Sequence, residues 1–170
     1  MRICFLDRDG VLIKDVNYLK NIKDISFING IFGGLKKIIN LKYKIYIVTN
    51  QSAVGRGIIS EKKLLRIHKF ITQKFKKYKI TISGIKYCPC HPNAKILKFR
   101  KKCIMRKPNP GMINKILKTT KVDPNNCFLI GDKKTDILAG KRAGIQKNFL
   151  YKSRQNFENF VNNLISTNNI

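Results

Sequence analysis

Short apolar runs rich in Ile, Val, Phe and Tyr recur at 2–6, 43–48, 80–87, 127–130 and 145–150, each bounded by Gly, Pro, Asn or Asp. Runs of that length and composition predict strands buried on both faces. Between them the apolar residues fall three and four apart: Ile31, Leu35, Ile38 and Ile39, then Leu64, Ile67, His68, Ile71 and Phe75, then Met112, Ile113, Ile116 and Leu117, then Ile137, Leu138 and Ala143. That spacing predicts one apolar stripe on each of four helices. Ser60 before Glu61, Pro108 and Pro110 ahead of the third helix, Thr135-Asp136 opening the fourth and Gly144 after it are the matching start and stop signals. Strand and helix therefore alternate. The expected fold is α/β, a doubly wound, largely parallel sheet with helices on both faces. His68, on an apolar stripe, is read as a packing residue, and the Asn-rich stretch from Asn156 to Ile170 as a terminal helix that frays.

The chain has 170 residues, 43% of them apolar, enough for one domain over 1–170 with its own core. Met1 to Leu6 is too short for a signal-peptide core before Asp7, and no eighteen-residue apolar run follows, so a cytoplasmic protein with no membrane partner is expected. Lys and Arg number 36 against nine acids, a formal +27. Lys, Ile and Asn are enriched together along the whole length, as an A/T-rich coding sequence would produce, and the lysines form no stripe. No specific nucleic-acid partner is expected, although the field would draw anionic substrates toward a cleft.

Scarcity makes the acids informative. Four of the nine are Asp7, Asp9, Asp132 and Asp136, each pair following a strand-like run, where a carboxylate is costly unless paired or bound to metal. In a doubly wound sheet ligands sit beyond the carboxyl ends of the strands. There stand Asp7-Arg8-Asp9-Gly10, Thr49-Asn50-Gln51-Ser52 and Gly131-Asp132-Lys133-Lys134, with Arg106-Lys107-Pro108 ahead of the third crossover helix. Asp7, Asp9 and Asp132 are a donor set for a hard cation such as Mg2+, which takes few carboxylates and keeps waters and phosphate oxygens. One carboxylate can attack phosphorus and the other can protonate the leaving oxygen, while the metal and Lys107 offset the charge spread over the phosphoryl group.

Phe5-Leu6-Asp7-Arg8-Asp9-Gly10-Val11, Val48-Thr49-Asn50-Gln51, Arg106-Lys107-Pro108 and Gly131-Asp132-Lys133-Lys134-Thr135-Asp136 resemble, in order, the four motifs of the haloacid-dehalogenase-like phosphatases, over residues 2–150. The resemblance implies Asp7 as nucleophile, Asp9 as general acid and base, Thr49 and Lys107 as phosphoryl stabilisers, and Mg2+ on Asp7, Asp132 and the backbone carbonyl of Asp9. Asn50-Gln51-Ser52 followed by Gly55-Arg56-Gly57, Cys88-Pro89-Cys90-His91-Pro92, and Arg106-Lys107-Pro108-Asn109-Pro110-Gly111-Met112 look like the heptose 1,7-bisphosphate 7-phosphatase branch of that family, which acts in lipopolysaccharide-core precursor synthesis. The histidinol-phosphate phosphatases are the sibling branch and the alternative substrate class. Within the heptose branch, Asp15, Val16, Asn17, Tyr18, Asn50, Gln51, Ser52, Arg106 and Lys133 are the expected contacts to a small sugar bisphosphate, bound by a monomer without a separate cap. A basic nucleic-acid-binding protein or a polynucleotide-end phosphatase is the competing class. No aromatic stacking platform interleaves the motifs, which disfavours it.

Cys4 and Cys127 lie in apolar runs, whereas Cys88, Cys90 and Cys103 belong to a Pro-interrupted loop over 88–106. Intracellular cysteines so grouped suggest metal rather than a disulfide. The family's loop holds structural zinc through Cys-x-His and a later Cys-x-Cys. Here Cys88 and Cys103 match, Cys90 stands in place of the His and Met105 in place of the last Cys, a poor Zn2+ ligand. The expectation is Zn2+ on Cys88, Cys90, Cys103 and His91, with a zinc-free loop as the alternative.

Overall fold

A computed structural model describes residues 1–170. Its centre is a five-stranded sheet, β1 (Arg2–Leu6), β2 (Tyr43–Asn50), β3 (Ile82–Cys88), β4 (Cys127–Gly131) and β5 (Lys147–Leu150), in the order β3-β2-β1-β4-β5. Every neighbouring pair is parallel, so the fold is the doubly wound α/β sheet that the alternating pattern predicts. The helices are α1 (Ile31–Asn40), the single turn α2 (Ser52–Gly55), α3 (Glu61–Lys77), α4 (Gly111–Thr120), α5 (Lys134–Arg142) and α6 (Phe157–Ser166).

Alternation along β1 sorts the core into two layers. Cys4 and Leu6 face a cluster with Leu35 of α1, Ile71 and Phe75 of α3 and Phe157 of α6, while Ile3 and Phe5 face Met112 and Ile116 of α4 and Ala139 of α5. A strand whose two faces are both covered needs side chains that are apolar throughout, which is why Ile3 to Leu6 carry no polar residue. Ser60 caps α3 by accepting the Lys63 N–H, and Gly144 follows α5 at φ +85°.

Three boundaries differ from the sequence pattern. Ile80 belongs to the core but precedes β3, β5 begins at Lys147, and the turn α2 lies in a segment with no helical period. The tail also differs in kind. Asn156 caps α6 through the Glu158 and Asn159 N–H groups, and Phe157, Val161 and Leu164 are buried, so this helix docks on α1 rather than fraying.

Candidate active site

The carboxyl ends of β1, β2 and β4 open onto a cleft of about 330 Å3 with a largely polar lining. Parallel strands bring Asp7, Thr49 and Asp132 to one edge, although 42 and 125 residues separate Thr49 and Asp132 from Asp7 along the chain. Two glycines permit the crowding. Gly10 sits at φ +83°, and a Cβ on it would overlap the Asp132 carboxylate; a Cβ on Gly131 would overlap the side chain of Asp136.

Asp7 is held asymmetrically. Its Oδ1 accepts the Arg8 backbone N–H at 2.8 Å and the Lys107 ammonium at 2.9 Å, while Oδ2 takes no hydrogen bond from the protein. Lys107 is buried and spends its three N–H groups on Asp7, Asp136 Oδ1 at 2.6 Å and the Val48 carbonyl at 2.8 Å. Burial alone would lower Lys107, but the Asp7 and Asp136 carboxylates outweigh it and hold the ammonium above its usual range. Asn50 fixes the backbone beneath it: its Nδ2 donates to the Lys107 carbonyl at 3.1 Å and its Oδ1 accepts the Lys107 N–H at 3.0 Å.

Asp9 closes a ring with two other side chains, Arg8 and Gln51. Arg8 donates through Nε at 3.1 Å and through Nη2 to both carboxylate oxygens at 2.9 Å. Gln51 donates through Nε2 to Asp9 Oδ2 at 2.8 Å and to Thr49 Oγ at 2.9 Å, and its Oε1 accepts from Arg8 Nη2 at 2.9 Å. Burial raises Asp9 above the ordinary carboxylate range, Arg8 pulls it back, and the nearby Asp7 charge adds to the rise. Thr49 is buried beneath the cleft with its O–H left to donate.

Ligand atoms of Asp7, Asp132 and Asp136 lie within 4.8 Å of one another. Asp136 uses Oδ1 on Lys107 and Oδ2 on the Lys133 backbone N–H at 2.9 Å. Asp132 Oδ1, by contrast, is buried with no partner, and the Asp9 backbone carbonyl accepts nothing. Burial, followed by the charge of Asp7, pushes Asp132 up to about 7. Unpartnered oxygens on Asp7 and Asp132, and a carboxylate driven toward neutrality by burial and then by its like-charged neighbours, fit a divalent cation.

The rim contains most of the expected sugar contacts. Asp15, Asn17, Tyr18, Asn50, Gln51, Ser52, Arg106 and Lys133 line the cleft. Val16 does not: it is 45% exposed and outside the lining. Asn17 and Tyr18 adopt φ of +47° and +76°, a strained turn that Asp15 steadies by accepting the Asn17 N–H at 3.1 Å. Lys133 bridges Asp15 at 2.9 Å and approaches Asp132 at 3.8 Å. The sequence pattern assigns no site role to Arg8 or to His68, whose Nε2 lies 3.1 Å from Arg8 Nη1, and it marks Asp136 only as one of the clustered acids, without its tie to Lys107.

In the 88–106 loop, the Cys88, Cys90 and Cys103 sulfurs also lie within 4.8 Å of one another, with Cys88 and Cys103 3.9 Å apart. Zn–S bonds of about 2.3 Å in a tetrahedron set sulfurs about 3.8 Å apart, so the three fit one Zn2+. His91 does not join them, correcting the four-ligand expectation. Its Nδ1 accepts the Asn93 N–H at 3.0 Å and its Nε2 faces the Arg56 guanidinium at 3.1 Å. Arg106 ties this loop to the cleft, donating from Nη1 to the Cys90 carbonyl at 2.9 Å.

A family model described as HAD-hydrolase-like matches residues 104–153. A Photorhabdus laumondii D-glycero-alpha-D-manno-heptose-1,7-bisphosphate 7-phosphatase is 39% identical over 170 residues, covering 100% of this chain and 93% of the relative. The Pasteurella multocida D-glycero-beta-D-manno-heptose-1,7-bisphosphate 7-phosphatase is 38% identical over 88% of this chain and 80% of its own. In fold, the chain matches a D,D-heptose 1,7-bisphosphate phosphatase from B. bronchiseptica, solved with magnesium and phosphate, at a TM-score of 0.85 and 22% identity over 98% of this chain and 99% of the other.

Proposed function

Because the chain belongs to the heptose-1,7-bisphosphate 7-phosphatase family of haloacid-dehalogenase-like phosphatases, we propose that it removes the C7 phosphate of D-glycero-D-manno-heptose 1,7-bisphosphate through a phospho-aspartate on Asp7. The observation that carries the mechanism is the division of labour within the Asp7 carboxylate, with Oδ1 tied by Lys107 and the Arg8 amide and Oδ2 left free. Oδ2 attacks phosphorus in line with the departing sugar oxygen, which takes its proton from Asp9. Asp9 then draws a proton from water, and the water oxygen displaces phosphate from Asp7. Thr49 donates to a phosphoryl oxygen. Lys107, whose three N–H groups are already committed, acts through its charge and by orienting Asp7. Mg2+, held by Asp7, Asp132 and the Asp9 carbonyl, supplies the positive charge that offsets the phosphoryl group.

Asp15, Asn17, Tyr18, Ser52, Arg106 and Lys133 grip the sugar and its second phosphate, and loops do the work of a cap. The names of the relatives favour heptose bisphosphate over histidinol phosphate, and with it a role in lipopolysaccharide heptose supply. Cys88, Cys90 and Cys103 hold one structural Zn2+ that braces Arg106 through the Cys90 carbonyl. No helix is long and apolar enough to cross a membrane. We further propose that the enzyme works in the cytoplasm as a monomer without a specific nucleic-acid partner.

Phosphate release from heptose 1,7-bisphosphate and from histidinol phosphate, with and without Mg2+, tests this reading. The heptose substrate should be turned over with its C1 phosphate retained, only with Mg2+, and not by Asp7→Asn. Preference for histidinol phosphate, or activity in the Asp7→Asn variant, refutes it.

A further inference from the structure

Arg8 is 2% exposed, and its guanidinium sits between Asp9, Gln51 and a helix from elsewhere in the chain. Nε and Nη2 are taken up by Asp9 and Gln51, and Nη1 has a single partner, His68 Nε2 at 3.1 Å. We propose that His68 is a positioning residue for the proton donor: by accepting from Arg8 Nη1, it locks the guanidinium in the plane in which Nε and Nη2 grip the Asp9 carboxyl. This rests on the reading of Asp9 as the group that protonates the leaving oxygen.

A guanidinium does not give up its proton, so the contact requires a lone pair on Nε2 and the ring hydrogen on Nδ1. Burial, and then the Arg8 charge, pull His68 from 6.5 to about 3, which keeps it neutral. The ring is itself fixed. His68 is 5% exposed on the stripe that α3 buries, and it stands edge-on to Tyr87 at 5.6 Å. The Tyr87 hydroxyl in turn donates to Glu61 Oε1 at 2.7 Å, in the first turn of the same helix. Asp9 lies just beyond β1, in an isolated bridge to Ile13, and its carboxyl is held by Arg8 and Gln51. The chain Tyr87, His68, Arg8 couples it to the rigid body of α3. Without the acceptor, Nη1 becomes a buried donor with no partner, and the guanidinium must rotate to find one, carrying Asp9 with it.

The test separates positioning from packing. Values of kcat/KM are measured for the wild type, His68→Leu, His68→Gln and Asp9→Asn on heptose 1,7-bisphosphate, whose alkoxide needs a proton, and on p-nitrophenyl phosphate, whose leaving group departs as a stable anion. His68→Leu should lose about 10- to 100-fold on the sugar and about threefold or less on the aryl ester. His68→Gln, whose Oε1 can accept from Arg8, should return to within about threefold of wild type on both. Equal losses of His68→Leu on the two substrates, or a Gln variant no better than Leu, overturn the proposal while Asp9→Asn retains its bias against the sugar. If Asp9→Asn itself loses equally on both, the proton-donor reading fails and takes the proposal with it. Should Leu prevent folding, His68→Asn, whose acceptor falls short of Nη1, takes its place in the same comparison.

Discussion

Lys107→Met removes the buried ammonium while keeping most of the volume of its stem. Asp7 Oδ1, Asp136 Oδ1 and the Val48 carbonyl each lose a donor, and two carboxylates are left facing each other. Breaking a buried pair from one side costs about 3–5 kcal/mol. An escape route sets the ceiling: Asp136 can take up a proton, at a cost that shrinks as burial raises its carboxyl. Burial already raises Asp136 and Lys107 is its main restraint, so the expected loss lies near the lower end, about 3 kcal/mol. In a domain of this size that lowers Tm by roughly 6–12 °C. Urea denaturation at pH 7 in EDTA measures it. Adding Asp136→Asn removes the orphaned charge, so the two losses should fall short of additivity by about 1–2 kcal/mol. The gap between wild type and Lys107→Met should widen from pH 6 to pH 8, as the compensating proton becomes harder to acquire. Additive losses, or a single variant within about 0.5 kcal/mol of wild type, would refute the reasoning.

Protons and Mg2+ should compete at Asp132. Its folded value of about 7 lies above the unfolded one, so metal-free stability from this group is full at acid pH and fades as pH rises toward 7, and Mg2+ binding at pH 6 should release close to one proton, measured by calorimetry in two buffers, but almost none at pH 8. His68 shifts the other way. Held neutral down to about 3, it should make stability fall as pH drops below 6.5, and His68→Gln should flatten that part of the urea-midpoint profile. Gly10→Ala forces a Cβ into the Asp132 carboxylate at positive φ, so it should weaken Mg2+ binding at least about tenfold by titration and cost about 1–2 kcal/mol of stability.

The sheet, its direction and three of the four polar clusters at its edge were legible because each of those three follows an apolar run that only a buried strand explains, while Arg106-Lys107-Pro108 was marked by the helix start that it precedes. Asp136 stood out as one of the clustered acids, but its partner did not: only the fold brings Lys107, 29 residues earlier in the chain, to its Oδ1. His91 misled because adjacency to Cys90 says nothing about ring direction, which Asn93 and Arg56 decide. His68 was correctly placed on a buried stripe, but a stripe does not show which side chain crosses from the next element to meet it. The tail did carry a signal: Phe157, Val161 and Leu164 are spaced four and three apart, and the surrounding asparagines obscured it.

The sheet order also bears on how the chain is made. β1 precedes the other four strands in synthesis, yet it lies in the middle of the sheet, and its second neighbour, β4, is not synthesised until 120 residues after β1 ends. Until then one edge of the strand that precedes Asp7 has its amides unpaired. Long-range parallel pairing of this kind is slow and exposes the nascent chain to association. The high positive charge, through mutual repulsion between chains on neighbouring ribosomes, works against that association during the interval.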